Sequence, residues 1–450
     1  MQQPVEVSVD ESQQVVERVA AIDVAKATGM VCTRVPHETV ASRRVTKVWE
    51  VKATTKGLLE LADHLVAGRV ERVVMESTSD YWRPFFYILE GAGLQVWLVN
   101  ARQVKNVPGR PKTDKIDAVW LAKLAERSMV SASFVPDEAM RHVRDLARAR
   151  FDLVGDRTRL KQRTEKLLED ALIKIGSVLS DIHGVSGRAM IEALIAGQRN
   201  PHVLAGLAKG RARVNLKALA EAVDGRFGDH HARLARLLLD QADDVARRIA
   251  EVTSLLDQAI AAVPAVTTAL PVVDWATGEI ITTAGALDSA VQRISVLPGG
   301  GADTARAVIG EIGLDMTVFG TAQRLASWAK ISPRTVQSGR KTGRATTGKG
   351  NPYLKAALHQ IAMSASKTDT FLGARYRRLA KRMPKVKALA ALERSILTII
   401  FHLLSDPTAT FEDLGPDFYE RRLDTARRTR NLVGQLQALG HTVTLTPTAA

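Results

Sequence analysis

Residues 18–35, RVAAIDVAKATGMVCTRV, constrain the fold more than any other stretch. Two short apolar runs flank the turn Lys-Ala-Thr-Gly, so the segment reads as two strands joined by a turn. Residues 45–53 add a third strand. Residues 55–67 carry apolar side chains at helical spacing. Residues 71–77 read as a buried strand, 80–93 as a helix ending in glycine, 94–100 as another strand and 114–127 as a helix. A three-strand meander followed by helix, strand, helix, strand, helix is an α/β order.

The pattern changes near residue 138. Leu146, Leu153, Leu160 and Leu167 recur every seven residues, and Leu234, Leu238, Val245, Ile249, Val252 and Leu256 alternate by threes and fours. These heptads predict two long coiled-coil helices that pair with each other or with another subunit. The sequence therefore divides into a disordered lead-in (1–15), an α/β domain (16–135), a helical and coiled-coil region (136–262), an insertion (263–290), a mostly helical C-terminal domain (291–405) and a tail (406–450). Within the last domain, ISVLPGGGADTARAVIGEIG reads equally as half of a phosphate-holding helix hairpin or as a tight connection between two helices.

Bulk properties narrow the function. The single cysteine, Cys32, among 450 residues excludes a disulfide framework and suits a reducing cytoplasm. The polar, acidic start is no signal peptide, and no apolar run approaches the roughly 20 residues that span a bilayer. The formal charge is +15, and from Lys330 to Lys387 there are 15 Lys and Arg against one acid, Asp369. A face that is merely solvated mixes signs; this excess predicts a polyanionic partner.

Four acids stand out against that charge. Asp23 interrupts the apolar run AAIDVAK, and Glu76 ends the apolar strand VVMES. An ionised carboxylate among Ala, Ile and Val is costly without compensation. Asp114 and Asp117, at i and i+3, share one face of a helix start. They serve the helix dipole, with Asp114 as a possible N-cap, but that role does not account for Asp23 and Glu76. Carboxylates are the donors Mg²⁺ prefers, and two such ions roughly 4 Å apart clamp the attacking and leaving oxygens of phosphoryl transfer.

The order Asp, Glu, Asp, Asp on this framework resembles the RuvC branch of the ribonuclease H fold. More specifically, AAIDVAK, VVMESTSDYW, LVNARQVKNVPGRPKTDKIDAVWLAKL and SPRTVQSGRKTGRATTGKGNPYLKAAL resemble transposases of the IS110 family over about 18–130 and 291–405. Two departures occur: Ser79 and Asp80 stand where the family more often has Gly and an apolar residue, and Pro111 interrupts a usually tighter Gly-Arg-Lys-Thr-Asp run.

The resemblance implies a RuvC-like domain whose Asp23, Glu76, Asp114 and Asp117 hold Mg²⁺ (or Mn²⁺). It also implies a C-terminal domain whose Ser338 attacks a DNA phosphate to form a covalent intermediate. From its residues alone, the Ser338 segment is a flexible, basic, Gly-rich loop that approaches a phosphate backbone, and a lone serine there is more often a hydrogen-bond donor. A serine nucleophile needs activation; no histidine lies in the motif, and His359 sits well into the next helix, so the expected active site is composite, with the metal near Ser338. Lys105, Arg110 and Lys112, with Arg340, Lys341, Arg344 and Lys349, are the expected nucleic-acid contacts. The implied partners are DNA at the element ends and target, a structured guide RNA, and further copies of the chain in a dimer to tetramer. The implied setting is the bacterial cytoplasm, on the nucleoid when bound to DNA, with no membrane. Two other readings stand beside this one: a RuvC-like junction endonuclease using metal-activated water, and a non-catalytic nucleic-acid scaffold.

Overall fold

The computed structural model describes residues 16–40, 43–76, 79–100, 113–263, 289–333, 337–338, 341–342, 346–421 and 425–446. The expected lead-in and nearly all of the expected insertion lie outside these residues. The chain forms two compact units, Met1–Val135 and Pro136–Ala450.

Alternation along the first strand organises the first unit. In β1 (Val19–Val24), Ala20, Ile22 and Val24 join one core and Val19 and Ala21 another, because successive strand residues face opposite sides. β1 pairs antiparallel with β2 (Thr28–Pro36), which pairs antiparallel with β3 (Arg44–Lys52). β1 also pairs parallel with β4 (Arg72–Glu76), and β4 with β5 (Val96–Val99). The sheet order is β3-β2-β1-β4-β5. β3 is an edge strand with Thr46, Lys47, Glu50 and Lys52 exposed.

Each parallel crossover carries a helix. α1 (Thr55–Ala67) buries Leu58, Leu61, Ala62 and Leu65, a stripe at helical spacing; each leucine contributes about 2 kcal/mol by leaving water. Thr54 caps it, its hydroxyl accepting from the Gly57 N–H. α1 and α2 (Trp82–Gly91) cover the face of Ile22 and Met75. The opposite face is covered by α3 (Asp114–Glu126), through Ala118, Leu121, Ala122 and Ala125. The mixed sheet flanked by helices is the α/β arrangement expected from the order of elements.

In the second unit two long helices, α4 (Glu138–Asp170) and α9 (Asp229–Ala262), pack along each other. Most of the heptad positions are only partly buried. Of the expected positions on α4 only Leu160 is buried, and on α9 only Ile249 and Leu256; the buried stripes are instead Met140, Val143, Ala147, Leu160, Thr164 and Leu168, and Ala235, Leu239, Ala242, Ile249, Leu256 and Ile260. Ala147 packs on Gly310, and Ala235 and Leu239 share one core with Leu168, so these stripes serve more than the contact between the two long helices. The seam also holds a hydrogen bond from Arg150 to the Thr253 hydroxyl at 2.7 Å. Between the long helices, α5 (Ile175–Val178), α6 (Val185–Ile195), α7 (Pro201–Gly206) and α8 (Leu216–Ala222) form a core around Met190, Ile191, Leu194 and Leu219 that Leu168 of α4 and Ala235 and Leu239 of α9 complete.

The remaining helices are α10 (Ala290–Ser295), α11 (Ala302–Ile312), α12 (Ala322–Trp328), α13 (Pro352–Ala365), α14 (Phe371–Ala380) and α15 (Lys385–Ser405), followed by α16 (Phe418–Arg421) and α17 (Thr425–Ala438). α15 corrects one expectation. It is long and apolar enough to cross a membrane by length and composition. In this fold it is a core helix, with Leu392, Ile396, Leu397 and Ile400 fully buried and α10, α12, α13 and α14 packed around it. The tail is anchored at α16, where Phe418 and Tyr419 meet the Phe371 ring at 4.9 and 5.7 Å. The glycine turn before α11 is built for packing: Gly299 has φ +79°, and a Cβ there would stand 2.4 Å from the Ala365 nitrogen.

Candidate active site

Register decides what the carboxylates can do. β1 and β4 run parallel with Ala21 beside Val74 and Ile22 beside Met75. One step further stand Asp23 and Glu76, at the carboxyl ends of neighbouring strands, where open α/β sheets take their ligands. Period 2 sets their face. Asp23 continues the row of Val19 and Ala21, and Glu76 that of Val74, all three of them in the core beneath α3. Both acids are half-buried.

α3 lies antiparallel to β1, since the Glu126 carbonyl at its end accepts from the Val16 N–H at 3.0 Å. Asp114 is about 18 Å up the helix from that contact, and Asp23 lies at most about 23 Å from it along the chain, the bend at Glu17 and Arg18 before β1 shortening the path. The helix start and the strand ends therefore reach the same edge of the layer. Asp117 is half-buried, with its Oδ1 closed off from solvent, and Asp114 is exposed. The N-cap is Thr113 and not Asp114: Thr113 is extended at φ −141°, and its hydroxyl accepts from the Ile116 N–H at 3.3 Å. Neither aspartate is the N-cap, and both lie in the first turn, where negative charge suits the dipole.

The far end of α3 is pinned by a residue the sequence did not single out. The Glu126 carboxylate meets Arg34 of β2 at 2.9 Å and Arg44 of β3 at 2.8 Å. Ser79, just beyond Glu76, has φ +50°, in the left-handed region that glycine enters without cost. That explains why serine at this position is a departure.

Hard carboxylate oxygens at a strand-end edge are the right donors for Mg²⁺. Among the described residues, however, no group of three or more His, Cys, Asp or Glu side chains gathers as a ready metal-holding cluster. The fold brings Asp23, Glu76 and the start of α3 to one edge of one face without closing them into a ligand shell.

Ser338 lies in a small hairpin where the sequence pointed to an irregular loop. β6 (Gln337–Ser338) pairs antiparallel with β7 (Lys341–Thr342), Ser338 opposite Lys341. The bases of this segment are fixed to each other. Gly350 has φ +60°, and a Cβ there would lie 2.4 Å from the Ala329 carbonyl oxygen at the end of α12. Lys355 donates to the Gly348 carbonyl at 2.6 Å. Asn351 caps α13, its Oδ1 accepting from the Tyr353 and Leu354 N–H groups at 2.9 and 3.2 Å.

The Asn351 amide donates to Glu311 of α11, which is 1 % exposed and takes a two-pronged bond from Arg148 of α4 at 2.7 and 2.8 Å. That bond holds the Arg148 guanidinium above its ordinary pKa. Glu311, Arg148 and Asn351 thus link α4, α11 and α13. The signal for Glu311 was present in AVIGEIG, a lone acid in an apolar helix.

Of the expected nucleic-acid contacts, Lys349 is exposed. Lys341 is placed by its backbone in β7. Lys105, Arg110, Lys112, Arg340 and Arg344 lie outside the described residues. His359 is engaged with Glu393 at 2.8 Å.

Two family models match. One, described as a transposase of the IS110 DEDD kind, covers residues 20–173 and so includes Asp23, Glu76, Asp114 and Asp117. The other, described as a transposase of the IS116/IS110/IS902 family, covers 291–377, including Ser338 and Lys349. Together they take in more than half of the chain. Among curated proteins, an insertion element IS110 uncharacterized 43.6 kDa protein from Streptomyces coelicolor is 32% identical over 132 residues. That match covers 29% of this chain and 30% of the relative, so the chain spans under a third of that protein's length. Among solved structures, T. thermophilus RuvC in complex with Holliday junction substrate matches with 14% identity over 26% of this chain and 99% of that one, at a TM-score of 0.20. With both of its motif-bearing segments matched in order, this chain belongs to the IS110 family of transposases.

Proposed function

We propose that this protein is a DNA recombinase that excises and inserts an insertion sequence by divalent-metal-dependent strand cleavage, through a covalent serine–DNA intermediate. The observation that carries the reading is the placement of Asp23 and Glu76 side by side at the ends of two parallel strands, on the face that α3 covers with Asp114 and Asp117 in its first turn. Carboxylates sharing one edge repel one another unless a cation offsets their charge. Asp23, Glu76, Asp114 and Asp117 would hold Mg²⁺ (or Mn²⁺). Bound there, the ion supplies charge stabilisation for a phosphoryl oxygen.

Ser338 is the nucleophile. Its Oγ forms a bond to phosphorus as its proton departs; the P–O bond to one sugar oxygen breaks, and that oxygen takes up a proton. A second sugar hydroxyl then attacks the serine phosphodiester, rejoining the strand and releasing serine, so one ester is exchanged for another without an energy source. Lys349 and the basic residues Lys105, Arg110, Lys112, Arg340, Lys341 and Arg344 position the phosphate backbone. A structured guide RNA that reads sequence by pairing, and a dimer or tetramer that brings two DNA partners together, belong to the same reading.

The test is to react the full chain with a duplex carrying the element junction in Mg²⁺ and trap protein–DNA adducts under denaturing conditions. Wild type yields an adduct; Ser338→Ala yields none, and Asp23→Asn reduces it by orders of magnitude. Junction cleavage that proceeds undiminished in Ser338→Ala, with no adduct in any variant, would replace this reading by a metal-dependent nuclease using water.

A further inference from the structure

The corner between α14 and α15 carries a dense cationic patch more than 40 residues after Ser338 in the chain and beyond the residues matched by either family model. Lys381, Arg382, Lys385 and Lys387 are all exposed. Other cations nearby are engaged. Arg377 pairs with Asp369 at 3.2 Å, Arg375 donates to the Ser395 hydroxyl at 2.8 Å, and Arg378 lies 4.5 Å above the Tyr419 ring. Among the described residues the four at the corner make no ion pair. Two of them open α15, whose first turn holds no acid and whose N-cap, Pro384, offers no side-chain bond. Lysines at the positive end of a 21-residue helix oppose its dipole. The fold therefore carries an uncompensated concentration of positive charge at this corner, which a polyanion relieves.

The surface chemistry narrows the occupant. The corner offers cations and the exposed Val386, at 78 %, while the nearby rings of Tyr376 and Tyr419 are only partly exposed and Arg378 already lies over that of Tyr419. Single strands are held by stacking as well as charge; a patch of charge alone reads a duplex backbone. The seven residues from Lys381 to Lys387 span at most about 20 Å, a length over which duplex DNA presents roughly a dozen phosphate charges.

We propose that Lys381, Arg382, Lys385 and Lys387 form a sequence-independent clamp for duplex DNA. The choice of DNA rests on the recombinase reading above; the patch itself does not depend on Ser338.

The test is the salt dependence of binding. The full chain and the quadruple variant Lys381→Gln/Arg382→Gln/Lys385→Gln/Lys387→Gln are titrated with a 30-bp mixed-sequence duplex at several salt concentrations, and with a single-stranded RNA of equal length. Four lost phosphate contacts flatten the log–log salt slope for duplex DNA by about 3.6. Duplex affinity at low salt falls at least tenfold, RNA affinity falls less, and the melting temperature holds or rises because the lysines no longer oppose the helix dipole. The pair Lys381→Glu/Lys385→Glu changes the local charge by the same four units and weakens duplex binding to a similar extent. An unchanged duplex slope and affinity overturns the clamp, as does a loss confined to RNA. If Ser338→Ala still forms an adduct, the catalytic reading falls while the salt slope still decides the clamp.

Discussion

Glu126 offers the sharpest test of how the first unit positions its acids. Its carboxylate is 9 % exposed and serves two guanidiniums, Arg34 at 15 % and Arg44 at 23 % exposure. Each arginine keeps one weaker partner, the Thr46 hydroxyl for Arg34 and the Glu17 carbonyl for Arg44, both at 3.1 Å. Glu126→Gln removes the charge and leaves two partly buried cations facing each other. Breaking a buried pair from one side costs about 3–5 kcal/mol, and the retained partners and partial exposure place the expected loss near the lower end, about 3 kcal/mol. For a unit of this size that corresponds to a melting shift of roughly 10 °C. Tryptophan fluorescence during urea denaturation reads it directly, because Trp49, Trp82, Trp97 and Trp120 lie in this unit. The triple variant Glu126→Met/Arg34→Met/Arg44→Met should recover most of the loss, since no buried charge is left alone. A loss below about 1 kcal/mol in Glu126→Gln, or a triple variant less stable than the single one, refutes the argument that this cluster fixes the end of α3.

Three further outcomes follow from particular contacts. Glu311→Gln should destabilise the second unit by about 2–3 kcal/mol in urea titrations, less than full removal because the amide still accepts from Arg148. Gly350→Ala combines a left-handed backbone with a 2.4 Å approach to the Ala329 carbonyl, so it should cost about 1–3 kcal/mol and raise protease cleavage around the Ser338 hairpin. Cys32 is fully buried, and burial pushes its thiol up to about 11 from 9.0; a thiol reagent at pH 8 should leave it unmodified until denaturant is added. Because the unfolded chain gives up this proton first, the contribution of Cys32 to stability is intact below pH 9 and declines as the pH rises towards 11, a trend that Cys32→Ala should remove.

The sequence made the first unit legible because its signals are local. Alternating short apolar runs and one amphipathic stripe per crossover gave the strands and helices, and Asp23 and Glu76 stood out because each breaks such a run. Their shared face and edge could not be read locally, since this depends on β1 and β4 pairing in parallel across more than 40 intervening residues. Glu126 escaped notice for the same reason: in WLAKLAERS it looks like any acid on a helix, and only Arg34 and Arg44, brought from two other strands, give it a role. The long helices were found by periodicity, but leucine spacing does not tell which side chains are buried deepest: Ala147 closes on Gly310 and Ala235 shares a core with Leu168, contacts in which other helices take part. Asn351 before Pro352 is a legible helix start, yet its amide contact with Glu311 is not.

The sheet ends on β3, and an edge strand is an open row of backbone donors and acceptors to which a stranger's strand can add. Lys47, Glu50 and Lys52 project from this one into water. Any second sheet that zipped onto it would have to strip those charges of solvent or set like against like. The pattern discourages copies of this chain from joining edge to edge, so growth into a continuous sheet is opposed by the same three side chains that keep the strand wet.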